Sequence, residues 1–96
     1  MKGVSEEELK IIENIITPYK DNYDFFAYGS RVKGNYRELS DLDIMIKGKN
    51  PIEVFELEEI KENFDNSNLS YVVNLVDYFS ITESFYNIIK DDLRKI

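Results

Sequence analysis

The sequence predicts an α/β (α+β) fold in which helices pack mainly on one face of a small, mixed three-stranded sheet. Three short segments rich in β-branched and aromatic residues alternate with longer segments whose apolar residues recur at helical spacing. This alternation is typical of layered folds that combine helices with one sheet. The chain has 96 residues, of which 43% are hydrophobic, and this size suits a single domain spanning residues 1–96.

The first helix is predicted from its capping residues. Ser5 and Glu8 have the spacing of a capping box, in which each side chain bonds to the backbone of the other residue. Apolar residues then recur at helical spacing as far as Tyr19, so we expect a helix from about Glu6 to Tyr19. Pro18 should disturb its last turn, because proline lacks the N–H that a helix needs.

Two further helices are predicted in the second half of the chain. Pro51 suits the first position of a helix, where the missing N–H costs nothing. The last helix has a candidate cap at Ser80 or Thr82 and an apolar face that continues to about Lys95.

Three strands are predicted from short runs of aromatic and β-branched residues. They cover Phe25–Tyr28, Asp43–Lys47 and Tyr71–Val76. The first run ends at a glycine and the second ends in a Gly-Lys-Asn turn, so both have well-defined ends.

Missing residue types exclude several kinds of chemistry. The chain has no cysteine and no histidine, which excludes disulfides, Cys/His zinc sites, cysteine nucleophiles and serine–histidine triads. No apolar run approaches the roughly 18 residues of a membrane span, and residues 1–8 are polar and acidic, unlike a signal peptide. We therefore expect a cytoplasmic protein that does not contact a membrane.

Charge is distributed unevenly along an acidic chain. The net charge is −7, which argues against direct binding of nucleic acid, because such proteins present a basic face. Residues 29–49 nevertheless carry five basic and three acidic residues, whereas residues 51–65 carry one basic and six acidic residues. A basic island in an acidic protein fits a small anionic ligand such as a triphosphate, although on charge alone scattered surface charge is the favoured explanation.

The residues that carry chemistry lie between Gly29 and Asp43. Gly29 and Ser30 follow the first predicted strand, where a glycine permits close approach to a ligand and backbone N–H groups can bind phosphate. Asp41 and Asp43 start the next strand and, being two residues apart, point to the same side of it. Two such carboxylates repel each other unless a cation lies between them, and Mg²⁺ prefers oxygen ligands of this kind.

This segment resembles the nucleotidyltransferase superfamily related to DNA polymerase β, whose signature is Gly-Ser, ten residues, then Asp-x-Asp. Gly29, Ser30, Asp41 and Asp43 fill that signature. The form Gly-Ser-Arg-x-x-Gly, followed by Ser-Asp-Leu-Asp, is similar to the minimal nucleotidyltransferases, the MntA-type antitoxins of HEPN/MNT toxin–antitoxin systems. The similarity extends over the whole chain.

The resemblance implies a function. A member of this group would bind ATP with one or two Mg²⁺ ions and transfer AMP (AMPylation) to a hydroxyl of its partner, a HEPN-domain RNase toxin, with tyrosine as the expected acceptor. It further implies that Gly29, Ser30 and Arg31 bind the nucleotide, and that Asp41 and Asp43 are catalytic metal ligands.

The third carboxylate of the family is ambiguous in this sequence. It normally lies on the closing strand, where this chain has Asn74 and Asp77. We expect Asp77 to be the third catalytic and metal-binding residue, because asparagine cannot accept a proton. Residues three apart face opposite sides of a regular strand, however, so Asn74 and Asp77 cannot both occupy that position.

Two classes of function therefore remain open at this point. The first is an adenylyltransferase that uses Asp77. The second is a weakened nucleotidyltransferase-fold antitoxin that neutralises its toxin by stoichiometric binding, with the acidic helix of residues 52–65 as its contact surface. Transfer to a small molecule is disfavoured, since no residues are left to form a separate substrate-binding domain.

Overall fold

Four strands and four α-helices make up the fold in the computed structural model, which describes residues 1–96. The strands are β1 (Tyr23–Tyr28), β2 (Leu42–Gly48), β3 (Val73–Asp77) and β4 (Arg94–Lys95). The α-helices are α1 (Glu6–Ile16), α2 (Ser30–Lys33), α3 (Val54–Asp65) and α4 (Glu83–Ile89). Short 3-10 turns occupy Thr17–Tyr19, Tyr78–Ser80 and Lys90–Asp92. None of these helices has both the length and the apolar character that crossing a membrane requires.

The strands form one mixed sheet in the order β3-β2-β1-β4. β1 runs antiparallel to both β2 and β4, whereas β2 and β3 are parallel. A mixed sheet is therefore confirmed, but it has four strands instead of the three expected. The additional strand is β4, at the edge next to β1.

The C-terminal segment differs from its predicted helix. α4 is capped by Thr82, whose side chain accepts a hydrogen bond from the N–H of Phe85, but it ends at Ile89. After a 3-10 turn, β4 pairs with β1, and the N–H of Ile96 donates to the carbonyl of Phe25 at 3.0 Å. The helical spacing of apolar residues continues past Ile89. Residues 94–95 nevertheless form a strand, because they pair with the otherwise open edge of β1.

The N-terminal helix matches its sequence signals. The hydroxyl of Ser5 accepts from the N–H of Glu8 at 3.1 Å, and the Glu8 carboxylate accepts from the N–H of Ser5 at 2.9 Å. The predicted capping box is thus confirmed. α1 ends at Ile16, and the 3-10 turn that contains Pro18 replaces its expected last turn.

α3 begins three residues later than Pro51 would predict. Its first residue is Val54, and Glu53 is the N-cap. Ile52 is buried, and its N–H donates to the carboxylate of Asp77 at 3.3 Å. This bond and the burial of Ile52 hold residues 51–53 outside the helix, so Pro51 belongs to the connection.

Helices cover both faces of the sheet, and the larger core lies on one of them. α1 and α3 pack on the face that contains Phe25, Ala27 and Ile44, where twelve buried residues form the main core. A smaller cluster, centred on Tyr28, Met45 and Ile89, lies under α4 on the opposite face. The prediction that helices lie mainly on one face is confirmed. The smaller cluster matters for function, because Tyr28 directly precedes the Gly29 turn.

Arg31 is a buried structural residue. Only 4% of it is exposed, and its guanidinium donates to the carbonyls of Gly3, Glu38 and Ser40, each at 2.7 Å. The guanidinium carbon also lies 3.7 Å from the centre of the Tyr71 ring, a cation–π distance. Arg31 therefore joins the N-terminal segment to the connection between α2 and β2.

These contacts correct the expectation only for the side chain of Arg31, whose guanidinium is bonded within the protein. A guanidinium has five N–H donors in a fixed planar arrangement, and here they are directed at backbone carbonyls inside the protein. The arginine that follows the Gly-Ser pair positions the connection that ends at Asp41, because its guanidinium donors are bonded to backbone carbonyls there.

We expect Arg31→Ala to lower the free energy of unfolding by about 3 kcal/mol, because it leaves buried carbonyls without their charged donor. Urea unfolding monitored by circular dichroism, without nucleotide, measures this. The matched control is Arg37→Ala, an exposed arginine in the same connection, which should change stability by less than about 0.5 kcal/mol. Equal losses in the two variants would contradict the structural role of Arg31.

Candidate active site

Gly29 forms the turn between β1 and α2. Its φ of 87° lies in the region that L-residues with a side chain rarely adopt. A β-carbon placed on Gly29 would lie 2.5 Å from Oδ2 of Asp43, so the Asp43 carboxylate packs directly against this glycine. Both the backbone angle and this close approach require glycine at the turn.

Ser30 follows as the first residue of α2, a single helical turn that ends at Lys33 and is capped by Gly34. The first N–H groups of a helix have no partners within it, and α2 therefore begins with free backbone donors beside Gly29. Ser30 itself is partly exposed. The structure thus places the predicted phosphate-binding turn next to the Asp43 carboxylate.

Asp41 and Asp43 are brought together at the start of β2, as the sequence predicts. Asp43 lies opposite Tyr28 of β1 and opposite Asn74 of β3. The side-chain amide of Asn74 donates to Oδ2 of Asp41 at 2.9 Å and to Oδ1 of Asp43 at 3.2 Å. One NH₂ group therefore bridges the two carboxylates and offsets part of their mutual repulsion.

Burial distinguishes the two aspartates. Asp41 is exposed, whereas Asp43 is only partly exposed. Burial raises the pKa of Asp43, the hydrogen bond from Asn74 lowers it, and the charge of Asp41 raises it, and the net effect is a raised pKa. The charged form of Asp43 is therefore less stable in this fold than in water. A bound cation would stabilise that charged form.

Tyr28 is a neighbour of this site that the sequence did not single out. Burial, and then the charge of Asp43 across the strand pair, raise the pKa of Tyr28 to about 12. Its phenol therefore remains protonated at neutral pH. The sequence does offer one signal, because Tyr28 directly precedes the Gly-Ser turn. Antiparallel pairing of the two strands then sets Tyr28 opposite Asp43.

Asp77 does not join the aspartate pair. It lies opposite Ile46 of β2, three residues along the strand from Asp43, and its side chain is on the other face of the sheet. There it is buried and accepts the hydrogen bond from Ile52 that precedes α3. The expectation that Asp77 supplies the third carboxylate is thus corrected, because β3 is regular and Asn74 occupies the position beside Asp41 and Asp43.

The donor set fits a magnesium ion held by few protein ligands. Two carboxylate oxygens approach one point between Asp41 and Asp43, where the Asn74 amide now lies, and that amide also carries an oxygen that can ligate a metal. No group of three or more acidic residues surrounds the point. Mg²⁺ commonly uses one or two carboxylates and completes its shell with water and phosphate oxygens, so these residues suit it.

The chain is similar to known proteins along most of its length. The family described as "Polymerase beta, Nucleotidyltransferase" matches residues 10–93. A protein of Haemophilus influenzae named "Probable protein adenylyltransferase MntA" is 36% identical over 87 residues, which cover 91% of this chain and 76% of that protein. Among solved structures, a crystal structure of a toxin–antitoxin with AMP-PNP has a TM-score of 0.72 at 18% identity, covering 90% of this chain and 69% of that one. At that identity the likeness concerns the fold.

The family match spans most of the chain, and its signature residues meet in one site in the structure. The chain therefore belongs to the polymerase β nucleotidyltransferase family of enzymes, and within it to the minimal nucleotidyltransferases of the MntA type.

Proposed function

We propose that this chain is an antitoxin that binds Mg·ATP and transfers AMP to a hydroxyl, expected to be a tyrosine hydroxyl, of a HEPN-domain RNase toxin. The observation that carries the proposal is the contact between the Gly29 turn and Asp43, beside Asp41. It brings the turn that we propose binds phosphate close to the aspartates that we propose bind the metal, which supports a single nucleotide site. The adenylyltransferase name of the Haemophilus relative and the toxin–antitoxin assembly of the structural neighbour support it.

In the proposed reaction, the acceptor hydroxyl oxygen bonds to the α-phosphorus of ATP. The bond from that phosphorus to the oxygen bridging to the β-phosphate breaks, and pyrophosphate leaves with the electron pair. When bound, Mg²⁺ supplies neutralisation of the charge on the phosphate oxygens. The hydroxyl proton passes to solvent, because the amide of Asn74 cannot accept it.

Each residue of the site has a separate task in this proposal. The backbone at Gly29 and Ser30 holds the β- and γ-phosphates through N–H donors at the start of α2. Asp41 and Asp43 hold the metal, and with only two carboxylates the protein provides ligands for one ion. Asn74 keeps the two carboxylates close together before the ion arrives.

Stoichiometric neutralisation is the second candidate function, and Asn74 favours it. Because the position of the third carboxylate holds an amide, general-base catalysis at that point is lost, and such catalysis is typically worth 10²–10⁴-fold. A nucleotide-binding antitoxin that covers its toxin needs no such base. The two candidates differ in one measurable quantity, the rate of AMP transfer.

The metal role of the aspartate pair is tested with Asp43→Asn. We expect this variant to lose the Mg²⁺-dependent part of ATP binding, measured by calorimetry with Mg²⁺ and again with EDTA. Its thermal midpoint without ligand should equal or exceed that of the wild type, because the substitution removes a carboxylate whose raised pKa marks an unfavourable charge.

The matched control for Asp43→Asn is Asp21→Asn, an exposed aspartate in the turn before the opposite end of β1. It should keep the full difference between the Mg²⁺ and EDTA titrations. If wild-type binding shows the same heat with and without Mg²⁺, the metal role assigned to Asp41 and Asp43 is wrong.

Asn74→Asp tests whether the missing base limits the rate. We expect AMP transfer to increase by about 10²–10⁴-fold, because a carboxylate at this position can accept the hydroxyl proton. Transfer is followed with radiolabelled ATP and the purified HEPN toxin, and mass spectrometry locates the added AMP. Asn74→Ala removes the amide without adding a base and serves as the comparison.

Asp77→Asn should leave the transfer rate unchanged, because Asp77 lies on the other face of the sheet. A large loss of transfer in this variant, with the fold intact, would restore Asp77 to the catalytic site. If neither the wild type nor Asn74→Asp transfers AMP, the adenylyltransferase proposal fails and stoichiometric neutralisation stands.

A further inference from the structure

An exposed apolar groove lies beside the aspartate pair, along the open edge of the sheet. We call it the edge groove. It has a volume of about 390 Å³, and its apolar lining consists of Leu39, Phe64, Leu69, Tyr71, Val72 and Val73. Leu39 is 74% exposed and Val72 is 57% exposed, although both side chains are wholly apolar. Neighbouring exposed apolar residues of this kind commonly mark an interaction site.

The edge groove adjoins the candidate active site directly. The carbonyl of Val72 accepts a hydrogen bond from the N–H of Leu42 at 2.9 Å, and Leu42 lies between Asp41 and Asp43. Leu39 is two residues before Asp41. A molecule bound in the edge groove would therefore lie next to the aspartate pair.

The strand that borders the edge groove has unpaired backbone groups. β3 is hydrogen-bonded to β2 on one side and is the last strand of the sheet on the other. Because the carbonyl of Val72 points towards β2, the alternate residues Val73 and Leu75 direct their backbone N–H and C=O groups outwards. An extended peptide can add to such an edge through main-chain hydrogen bonds.

The charge around the edge groove indicates the character of a partner. Asp65 is the only charged residue that lines it, and residues 62–76 contain two acidic residues, Glu62 and Asp65, and no lysine or arginine. Asp41 adds a further exposed carboxylate at the end nearest the active site. A complementary segment would combine apolar side chains with lysine or arginine.

We infer that the edge groove binds an extended, apolar and basic segment of the partner protein and thereby delivers its acceptor hydroxyl to Asp41 and Asp43. This inference rests on the proposed function, because it names the surface by which the substrate protein is recognised. The segment adds to β3, its apolar side chains contact Leu39 and Val72, and its basic side chains face Asp65.

A second exposed apolar pair provides a matched control. Val54 and Phe55 are 74% and 70% exposed, which equals or exceeds the exposure of the edge-groove pair. They begin α3, just after the C-terminal end of β2, whereas Asp41 precedes the N-terminal end of that strand. A seven-residue strand spans about 20 Å, so Val54 and Phe55 lie at the other end of β2 from the aspartate pair.

The test compares the double variant Leu39→Ser/Val72→Ser with Val54→Ser/Phe55→Ser. Calorimetry measures the affinity for purified HEPN toxin, and steady-state assays measure the KM for toxin during AMP transfer. Replacing the edge-groove pair should weaken toxin affinity about 10- to 100-fold, as expected for losing two buried apolar contacts. Affinity for Mg·ATP, measured without toxin, should stay unchanged in both variants.

Two further measurements identify the occupant. Hydrogen exchange at Val73 and Leu75 should slow when toxin binds, because their outward N–H groups become paired. Asp65→Lys should weaken toxin binding more at low salt than at high salt, whereas Asp21→Lys, far from the edge groove, should weaken it less. If the double variant fails to fold, Leu39→Ser alone replaces it, since Leu39 is the more exposed of the two residues.

The outcomes separate this inference from the proposed function. Unchanged toxin affinity in the edge-groove variant, with Asp43-dependent ATP binding intact, would overturn the inference and leave the proposed function standing. Weakened toxin affinity in the edge-groove variant, together with a wild-type protein that neither binds ATP nor transfers AMP, would support the edge groove as the toxin-binding surface and overturn the proposed function. A change in sedimentation of the antitoxin alone, with toxin affinity unaltered, would assign the edge groove to a second copy of this chain and overturn the inference.

Discussion

The packing of Gly29 against the carboxylate of Asp43 is the contact on which the candidate site depends. It exists because β1 and β2 pair in a register that sets Tyr28 opposite Asp43, so the turn after β1 and the start of β2 arrive at one end of the sheet. A β-carbon at Gly29 would lie 2.5 Å from the Asp43 carboxylate, and the φ of 87° independently requires glycine. A slip of one residue between the strands would send Asp43 to the opposite face. The register of these two strands, and therefore the core that fixes it, determines whether there is a site at all.

Asn74 resolves the electrostatic problem that this arrangement creates. Two carboxylates on one face repel each other, and the partly buried Asp43 also loses hydration, which together raise its pKa. The Asn74 amide donates to both carboxylates, so the pair is held together in the protein alone. A third carboxylate at this position would bind a cation more strongly but would destabilise the fold without one. Asparagine therefore favours a stable metal-free protein at the expense of a proton acceptor, and it links the stability of the chain to its catalytic capacity.

Sequence reasoning succeeded where the controlling interactions are local and failed where they are long-range. The capping box at Ser5, the disturbance at Pro18 and the shared face of Asp41 and Asp43 follow from spacing along the chain, and the structure has all three. Arg31 and β4 could not be predicted in this way, since the carbonyls that surround Arg31 come from residues 3 to 40 and β4 depends on a distant strand edge. Because side chains alternate between the two faces of a strand, the sequence alone predicted that Asn74 and Asp77 face opposite ways. Only the register with β2 showed that Asn74 is the residue beside Asp41 and Asp43.

In the proposed reaction, exposure of the site would give the partner protein a physical role beyond supplying the hydroxyl. Asp41 is exposed to water, and charges in water interact weakly because the solvent screens them. A segment added to β3 along the edge groove would cover Leu39 and Val72 and would also displace water from beside Asp41. The same contact that recognises the partner would then strengthen every electrostatic interaction at the aspartate pair. On this argument, substrate recognition and catalytic strength are consequences of one binding event, and an isolated antitoxin with ATP should be a poorer catalyst towards water than towards its bound partner.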